Sequence, residues 1–272
     1  MIQLIAMDVD GTLVGSDANT ISPKNLQALQ KAYNQGVVLA IASGRPYAFI
    51  ETLLYQIPEV EFVIYGNGAG IYDQIKHEEF DMPDTDMNIA DSIFIADVLQ
   101  QYPAHVQVQA EGKLYISQAS MDYFEARFHK RVTEAGQSSI AIVPDALEVA
   151  RKIPTQKFNV EFIDLKARPQ ALAKLLTRPS ILISSSWQDN VEINSRNATK
   201  GRALETLAKH LNIPQENVLA IGDNINDLEM IEYAGIGVAV RNAVPEALAI
   251  ADYITSSNEH NGVAKAVLKY LK

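Results

Sequence analysis

Short apolar runs alternate with amphipathic helical patterns through the first third of the chain. Three of these runs have the length of buried strands and end at glycine or polar residues: Leu4–Met7, Val37–Ala42 and Glu61–Tyr65. Helical patterns cover the intervening residues 23–35 and 46–56, and Ser22-Pro23 is a favourable N-cap and first position for the earlier helix. The alternation of strand and helix predicts a parallel, right-handed α/β arrangement.

The pattern changes after about Met82. Segments that alternate apolar and polar residues predict two β-hairpins, His105–Ala110 with Lys113–Ser117 and Ile181–Trp187 with Val191–Asn194. A further strand is expected at Lys157–Ile163, and helices are expected at Asn88–Gln101, Met121–Gly136 and Pro169–Leu176. Alternating strands with segregated helices are typical of an antiparallel α+β domain that has one solvated face.

The first pattern returns at Ala198 and continues to the last residues. It predicts a helix from Lys200 to about Leu211, buried strands at Val218–Ile221 and Gly235–Val240, and a closing helix at Gly262–Leu271. We therefore predict an α/β fold with a Rossmann-like, doubly wound parallel sheet core. Its two parts are residues 1–83 and 191–272, and an α+β domain is inserted at 84–190.

Composition narrows the classes of function. The chain has 272 residues, 47% of them hydrophobic, and a formal net charge of −10, which argues against nucleic-acid and anionic-membrane partners. Cysteine is absent, so disulfides, thiolate metal sites and cysteine nucleophiles are excluded. We see no signal peptide and no run of about 18 apolar residues, so a cytoplasmic location with no membrane partner is expected.

Two aspartates follow the first predicted strand. In an extended backbone Asp8 and Asp10 point to the same side, beyond the carboxyl end of the strand, where open α/β sheets place their sites. Two like charges this close repel, and a bound Mg²⁺ would relieve the repulsion because hard cations take oxygen ligands. The alternative interpretation is an Asx-type turn in which Asp10-Gly11 are turn residues.

Three further groups follow predicted strands or begin helices. Lys200 begins a helix, where the dipole opposes a positive charge, so it is either a solvated lysine or a cation held for a phosphate or for Asp8. Asp223 supplies the third carboxylate that a Mg²⁺ site needs, whereas Asp227 has the alternative role of an N-cap. Ser43-Gly44 is either a helix cap or part of a phosphate site at a helix start.

These motifs occur in order and resemble those of a known superfamily. Asp8-Val9-Asp10-Gly11-Thr12, Ser43-Gly44-Arg45-Pro46, Asn67-Gly68-Ala69, Lys200-Gly201 and Gly222-Asp223-Asn224-Ile225-Asn226-Asp227 are similar to the motifs of the haloacid dehalogenase-like superfamily, in its Cof-type sugar-phosphatase branch. The resemblance covers essentially the whole chain, including the position of the insert. Arg241 departs from the pattern, which has a small residue there.

The resemblance implies a role for each residue. Asp8 would be the nucleophile that forms an aspartyl-phosphate, and Asp10 would be the general acid and then the base. Mg²⁺ would be held by the Asp8 side chain, the Asp10 backbone carbonyl and Asp223, while Asp227 would orient the metal site or Lys200. The phosphoryl oxygens would be held by the Val9 amide, Ser43, the Gly44 amide, Lys200 and Asn226. The insert would be a cap that closes over the substrate.

The expected function is a Mg²⁺-dependent phosphatase of small phosphorylated metabolites, with sugar phosphates as the expected substrate class. Two alternatives remain open from the sequence: a phosphomutase or phosphotransferase on the same scaffold, and a non-catalytic protein that binds a phosphorylated ligand. The sequence specifies neither the physiological substrate nor the residues of the insert that contact it. A monomer is the default expectation.

Overall fold

The computed structural model describes residues 1–80, 82–128, 139–185 and 190–271. Its strands, in chain order, are β1 (Leu4–Met7), β2 (Val38–Ala42), β3 (Phe62–Tyr65), β4 (Gly70–Asp73), β5 (Glu78–Glu79), β6 (Ala104–Ala110), β7 (Lys113–Ile116), β8 (Ile140–Ile142), β9 (Lys157–Phe162), β10 (Ile181–Ser184), β11 (Asn190–Ser195), β12 (Val218–Gly222), β13 (Ile236–Ala239) and β14 (Tyr253–Ile254). Its helices are α1 (Pro23–Asn34), α2 (Tyr47–Leu54), α3 (Ile89–Leu99), α4 (Gln118–Phe128), α5 (Ala146–Ala150), α6 (Arg168–Leu175), α7 (Lys200–His210), α8 (Leu228–Tyr233), α9 (Pro245–Ile250) and α10 (Gly262–Tyr270). Among the described residues, no helix has both the length and the apolar character that crossing a membrane requires.

The chain divides into two compact units. The first unit comprises Met1–Arg45, Ile50–Met82 and Thr199–Lys272, and the second comprises Pro46–Phe49 and Pro83–Ala198. The sequence placed the second boundary after residue 190, eight residues before the end of the second unit at Ala198. The difference arises because β11 forms antiparallel ladders with β9 and β10, which both lie in the second unit.

The first unit contains a sheet in the order β14-β13-β12-β1-β2-β3-β4-β5. The six strands from β14 to β3 are parallel, and β4 and β5 continue the sheet in antiparallel pairs that the sequence analysis did not predict. The central strand β1 pairs with β12 on one side and β2 on the other, and Met7 is in register with both Ile221 and Ile41. The carboxyl ends of these three strands therefore lie side by side.

Burial on both faces explains why β1 is an unbroken apolar run. All four of its residues are fully buried or nearly so, as expected for a strand covered by helices on two sides. Leu4 and Ala6 pack in one hydrophobic cluster with Leu204 and Leu207 of α7. The predicted parallel α/β core is confirmed.

The second unit contains a sheet in the order β10-β11-β9-β6-β7-β8, antiparallel except for the pair β7–β8. Phe158, Val160 and Ile193 pack in a hydrophobic cluster with helical residues that include Ile95 and Ala171. The α+β class predicted for this region is confirmed.

Both predicted hairpins are present in this sheet. The first turns at Glu111-Gly112, where both residues have a positive φ, as a two-residue hairpin turn requires. In the second hairpin, β10 pairs antiparallel with β11. Residues 186–189, which include Trp187 of the predicted strand, lie outside the described residues. The predicted helix over Met121–Gly136 is described as far as Phe128, and the sequence analysis missed β8 and α5.

The predicted N-cap of α1, Ser22, gives a test of how this helix begins. Ser22 Oγ accepts a hydrogen bond from the Asn25 amide at 3.2 Å and donates one to Asn261 Oδ1 at 2.7 Å. We expect Ser22→Ala to lower the free energy of unfolding by about 1 kcal/mol, as loss of an N-cap does, and Ser22→Thr to retain most of it. Denaturant unfolding measures both values, and a wild-type midpoint for Ser22→Ala would contradict this assignment.

Candidate active site

A buried lysine joins two aspartates beyond the carboxyl end of β1. The Asp8 backbone amide extends the ladder by donating to the Ile221 carbonyl at 2.9 Å, and its side chain is 7% exposed. Lys200 is the first residue of α7, its side chain is fully buried, and the N-cap of that helix is Thr199. Lys200 Nζ lies 2.6 Å from Asp8 Oδ1 and 2.6 Å from Asp227 Oδ1. The alternative of a solvated lysine is therefore wrong.

The charge state of Lys200 follows from its two partners. Burial lowers the pKa of the ammonium, but Asp227 and Asp8 raise it by more, so the pKa lies above its ordinary value. A lysine at a helix start is opposed by the helix dipole, typically by 0.3–1 kcal/mol. Two close carboxylates outweigh that cost, and they explain why this position holds a charged residue.

Asp227 holds several groups in place at once. Its Oδ1 accepts from Lys200, while its Oδ2 accepts from the backbone amides of Asp223 at 2.8 Å and Asn224 at 3.0 Å. Asn224 caps the short helical turn Ile225–Asp227, and the Asp227 side chain completes the reciprocal capping box. The N-cap alternative for Asp227 thus becomes a capping-box role, combined with the ion pair to Lys200.

Asp223 completes a cluster of three carboxylates. One carboxylate oxygen from each of Asp8, Asp223 and Asp227 lies within 4.8 Å of the others. Thr12 Oγ1 donates to Asp223 Oδ1 at 2.9 Å, which orients that side chain. Gly11 makes the close approach possible, because a Cβ at this position would lie 2.5 Å from Asp223 Oδ2.

Burial and neighbouring charges together disfavour the ionised forms of two carboxylates in the cluster. Burial, followed by the charge of Asp227, raises the pKa of Asp223 to about 7. Burial also raises the pKa of Asp8 well above its ordinary value, against the opposing effect of Lys200, and Asp227 and Asp223 raise it further. Carboxylates arranged in this way are the oxygen donors that a hard divalent cation takes. The cluster fits a metal site, in which Asp227 lies beside Asp8 and Asp223 with both of its oxygens already accepting hydrogen bonds from Lys200 and from backbone amides.

The Asp10 side chain forms an ion pair with Arg45, a residue to which the sequence analysis gave no role. Arg45 Nε donates to Asp10 Oδ2 at 2.7 Å, and Nη2 donates to Oδ1 at 2.6 Å and to the Ala18 carbonyl at 2.7 Å. Asp10 and Gly11 have the dihedral angles of a type II turn, with φ of +84° at Gly11. The position of Arg45 at the end of β2, beside β1, could have indicated an ion pair, because carboxylates follow the neighbouring strand at the same edge of the sheet.

Two candidate phosphate-binding residues contact Asn67, Ser43 through its backbone carbonyl and Asn226 through its side chain. Ser43 is buried at the end of β2, and its carbonyl accepts from the Asn67 amide at 3.0 Å. Asn226 Nδ2 donates to Asn67 Oδ1 at 3.0 Å. Gly68 adopts φ of +94°, and a Cβ there would lie 2.2 Å from the Thr199 carbonyl, so this loop packs against the start of α7.

The structure thus joins Asp8, Lys200, Asp223 and Asp227 by direct contacts and connects Ser43 to Asn226 through Asn67. Asp10 joins Arg45 instead. Val9 is buried and its carbonyl accepts from the Val14 amide, while Gly44 is half-buried after Ser43. The roles predicted for the Val9 and Gly44 amides stay predictions.

Comparison with known proteins gives the relationships of the chain. Residues 5–267 match the family model for haloacid dehalogenase-like hydrolases. A phosphatase of Bacillus subtilis, 5-amino-6-(5-phospho-D-ribitylamino)uracil phosphatase YcsE, is 29% identical over 98% of this chain and 94% of its own length. Phosphatase YwpJ of the same organism is 29% identical over 99% of this chain and 100% of its own. The structure of a haloacid dehalogenase-like hydrolase from B. subtilis covers both chains completely with a TM-score of 0.85 and 27% identity.

The raised pKa of Asp223 predicts how stability depends on pH when divalent metal is removed. The folded state retains a proton on Asp223 up to about pH 7, whereas the unfolded chain loses it near pH 4. The folded state therefore binds more protons in this window, and the free energy of unfolding falls as the pH rises through it.

Between pH 4.5 and pH 7.5, we expect the free energy of unfolding of Asp223→Asn to fall by roughly 1–3 kcal/mol less than that of the wild type. Urea unfolding in a chelator at pH 4.5 and pH 7.5 measures it, and the exposed Asp122→Asn serves as the matched control. An equally steep decline in Asp223→Asn and the wild type would contradict the proposed burial of this charge.

Proposed function

The chain belongs to the haloacid dehalogenase-like hydrolase family as a phosphatase of phosphorylated small molecules, and we propose that Asp8 carries its chemistry through an aspartyl-phosphate. Family membership and the enzyme class predicted from the sequence are confirmed. The observation that carries the mechanism is the buried Asp8 carboxylate, which Lys200 holds at 2.6 Å beside the carboxylate of Asp223.

In the first step a carboxylate oxygen of Asp8 attacks phosphorus, and the bond from phosphorus to the ester oxygen breaks. Lys200 fixes the orientation of the attacking carboxylate and balances part of the charge on the phosphoryl oxygens. In the second step water attacks phosphorus, which releases inorganic phosphate and regenerates Asp8. Positioning and charge neutralisation account for most of the catalysis in reactions of this type.

Asp10 moves the proton in both steps. Its carboxyl group gives a proton to the leaving alcohol, and the resulting carboxylate takes one from the attacking water. The bidentate ion pair with Arg45 stabilises the carboxylate form, which suits the second step. Donation in the first step therefore requires Asp10 to move away from Arg45.

The donor set suits Mg²⁺. Asp8 and Asp223 would hold the ion with the Asp10 backbone carbonyl, and Asp227 would orient Lys200 and the Asp223 backbone. When bound, Mg²⁺ supplies positive charge between the nucleophile and the phosphoryl oxygens. The raised pKa values of Asp8 and Asp223 support this proposal, because burial and then neighbouring carboxylates disfavour their charged forms, which a bound cation would stabilise.

The phosphoryl oxygens would be held by the groups around Ser43 and Asn67. Asn226, whose amide group is positioned by Asn67, would donate to one oxygen. Ser43 Oγ accepts from the Arg45 amide at 3.1 Å and keeps its own proton for donation. The remaining donors in this assignment are the Val9 and Gly44 amides and Lys200.

Sugar phosphates are the substrate class that we assign. We also assign residues 84–190 as the cap of a catalytic core that is formed by residues 1–83 and 191–272. The relative named as a phosphatase of a phosphoribitylamino compound supports this class, because its named substrate carries the phosphate on a polyhydroxylated chain. The cap would exclude water and contact the substrate. The monomeric state, the cytoplasmic location and the lack of nucleic-acid and membrane partners stay predictions from the sequence.

Replacing the nucleophile tests the mechanism. We expect Asp8→Asn to lower kcat by at least about 10³-fold, because the amide cannot attack phosphorus. The melting temperature should stay close to that of the wild type, since the amide fills the same space and Lys200 keeps its ion pair with Asp227. Release of inorganic phosphate from a panel of sugar phosphates measures kcat, with Asp122→Asn as the exposed control.

Two outcomes would overturn this proposal. Wild-type turnover in a folded Asp8→Asn enzyme would remove Asp8 from the reaction. Transfer of the phosphoryl group to a second alcohol, with no free phosphate, would identify a phosphotransferase instead.

Metal removal tests the proposed cofactor. Chelation should abolish turnover, and Mg²⁺ should restore it. In Asp223→Asn the Mg²⁺ concentration for half-maximal activity should rise about 10- to 100-fold, because one anionic ligand is lost. Activity that persists through exhaustive chelation, or an unchanged Mg²⁺ requirement in this variant, would rule out the assignment.

A further inference from the structure

The start of α7, which carries Lys200, is held by a carboxylate that the proposed mechanism does not use. Thr199, the N-cap of α7, is 7% exposed, and its Oγ1 accepts a hydrogen bond from the Arg202 amide at 3.2 Å. The same hydroxyl donates a hydrogen bond to Glu229 Oε2 in α8. A hydroxyl group has one proton and two lone pairs, so it caps the helix and donates to the carboxylate at the same time. Hydrogen bonds to carboxylates are strong, and Glu229 therefore restrains the Thr199 side chain.

Gly201 lets the two helices approach closely enough for this contact. A Cβ at Gly201 would lie 2.5 Å from Glu229 Cβ and 2.7 Å from its backbone carbonyl carbon. The first turn of α7 therefore packs directly on the backbone of α8, and a larger residue at position 201 would push the two helices apart. This packing explains the glycine of the Lys200-Gly201 motif, to which the proposed mechanism gives no role.

The segment that contains Glu229 restrains Lys200 at both ends. Asp227 accepts from Lys200 Nζ at 2.6 Å, which holds the tip of the side chain. Two residues later, Glu229 holds the Thr199 side chain, which fixes the backbone from which Lys200 extends. Lys200 Nζ also lies 2.6 Å from Asp8 Oδ1, so a displacement of the helix start moves the ammonium relative to the proposed nucleophile.

The loop at Asn67 packs against the same N-cap residue. A Cβ at Gly68 would lie 2.2 Å from the Thr199 carbonyl oxygen, so the loop and the helix start are in close contact. Asn67 in turn accepts from Asn226 Nδ2 at 3.0 Å. A shift of Thr199 therefore reaches a second group that we assign to the phosphoryl oxygens.

We infer that Glu229 is a positioning residue for phosphoryl transfer, which acts through Thr199 on the location of Lys200. This inference rests on the proposed function, since it requires that Lys200 orients Asp8 for attack. A displacement of about 1 Å in a catalytic group can cost roughly 100-fold in rate, so a hydrogen bond remote from the reacting atoms is able to control kcat. Glu229 is exposed, and its replacement leaves neither a buried charge nor a cavity in the core.

The test measures kcat in variants of Glu229. The probes are glucose 6-phosphate, ribose 5-phosphate and p-nitrophenyl phosphate with saturating Mg²⁺, and variants are compared on the probe that the wild type hydrolyses fastest. Glu229→Ala should lower kcat about 3- to 30-fold, because the Thr199 hydroxyl loses its acceptor and the start of α7 is released. Glu229→Gln should recover most of this loss, since its amide oxygen accepts the same hydrogen bond. Glu232→Ala removes an exposed carboxylate from the same helix and should keep the wild-type kcat.

Combined variants test the route through Thr199. In Thr199→Val the hydroxyl is absent, so adding Glu229→Ala should lower kcat less than twofold further, whereas in Thr199→Ser the full effect of Glu229→Ala should return. A residue that only stabilised the fold would have the same effect in every background. Ser22→Ala, which removes the N-cap of α1, is the control for lost stability and should keep the wild-type kcat when all variants are assayed well below their melting temperatures.

The outcomes separate this inference from the proposed function. A kcat of Glu229→Ala within twofold of the wild type, or an equal effect of this substitution in the Thr199→Val background, would overturn the role of Glu229. Neither result bears on Asp8, which Asp8→Asn tests on the same probes, and turnover in that variant would overturn the proposed function whatever Glu229→Ala shows. A wild type that hydrolyses none of the three probes would overturn both.

Discussion

The ion pairs that Lys200 forms with Asp8 and Asp227 are the interaction on which the rest of the site depends. All three side chains are buried, and a buried charge is tolerated only when it is paired. Removing Lys200 would leave three neighbouring carboxylates without the cation that pairs with two of them. The lysine therefore gives Asp8, the proposed nucleophile, a fixed orientation and makes the acidic cluster compatible with a folded core. Burial, followed by the charge of Asp227, raises the pKa of Asp223 to about 7, and a divalent cation would stabilise its charged form.

The fold provides the positions that this interaction needs. Parallel pairing of β1 with β12 and β2 brings three strand ends to one edge, and each end is followed by a polar segment. Asp8, Ser43 and Asp223 lie far apart in the chain and become neighbours because of strand order. The capping box around Asp227 then fixes the backbone of the Asp223 loop, so a local helix-start motif supports a long-range ion pair.

Most of the parallel α/β core and its acidic cluster could be predicted from the sequence, because strong local patterns specify them. Three features indicated the same edge of the sheet. They are the apolar run before Asp8, the lysine at an electrostatically unfavourable helix start, and the acidic motif at residue 223. The position of Arg45 at this edge could have indicated a carboxylate partner, but the choice of Asp10 depends on a turn whose geometry no sequence pattern specifies. The predicted boundary at residue 190 divides a hairpin that the sequence itself indicated, because β11 pairs with β9 and β10.

The central claim is that Asp8 becomes covalently phosphorylated during turnover. The enzyme is mixed with a substrate that it hydrolyses and is rapidly quenched in acid, and peptide mass mapping then measures phosphorylation directly. The account predicts one phosphoryl group on the peptide that contains Asp8, present during steady-state turnover and absent from the Asp8→Asn enzyme. Turnover without any phosphorylated peptide, or a phosphoryl group on a different residue, would contradict it.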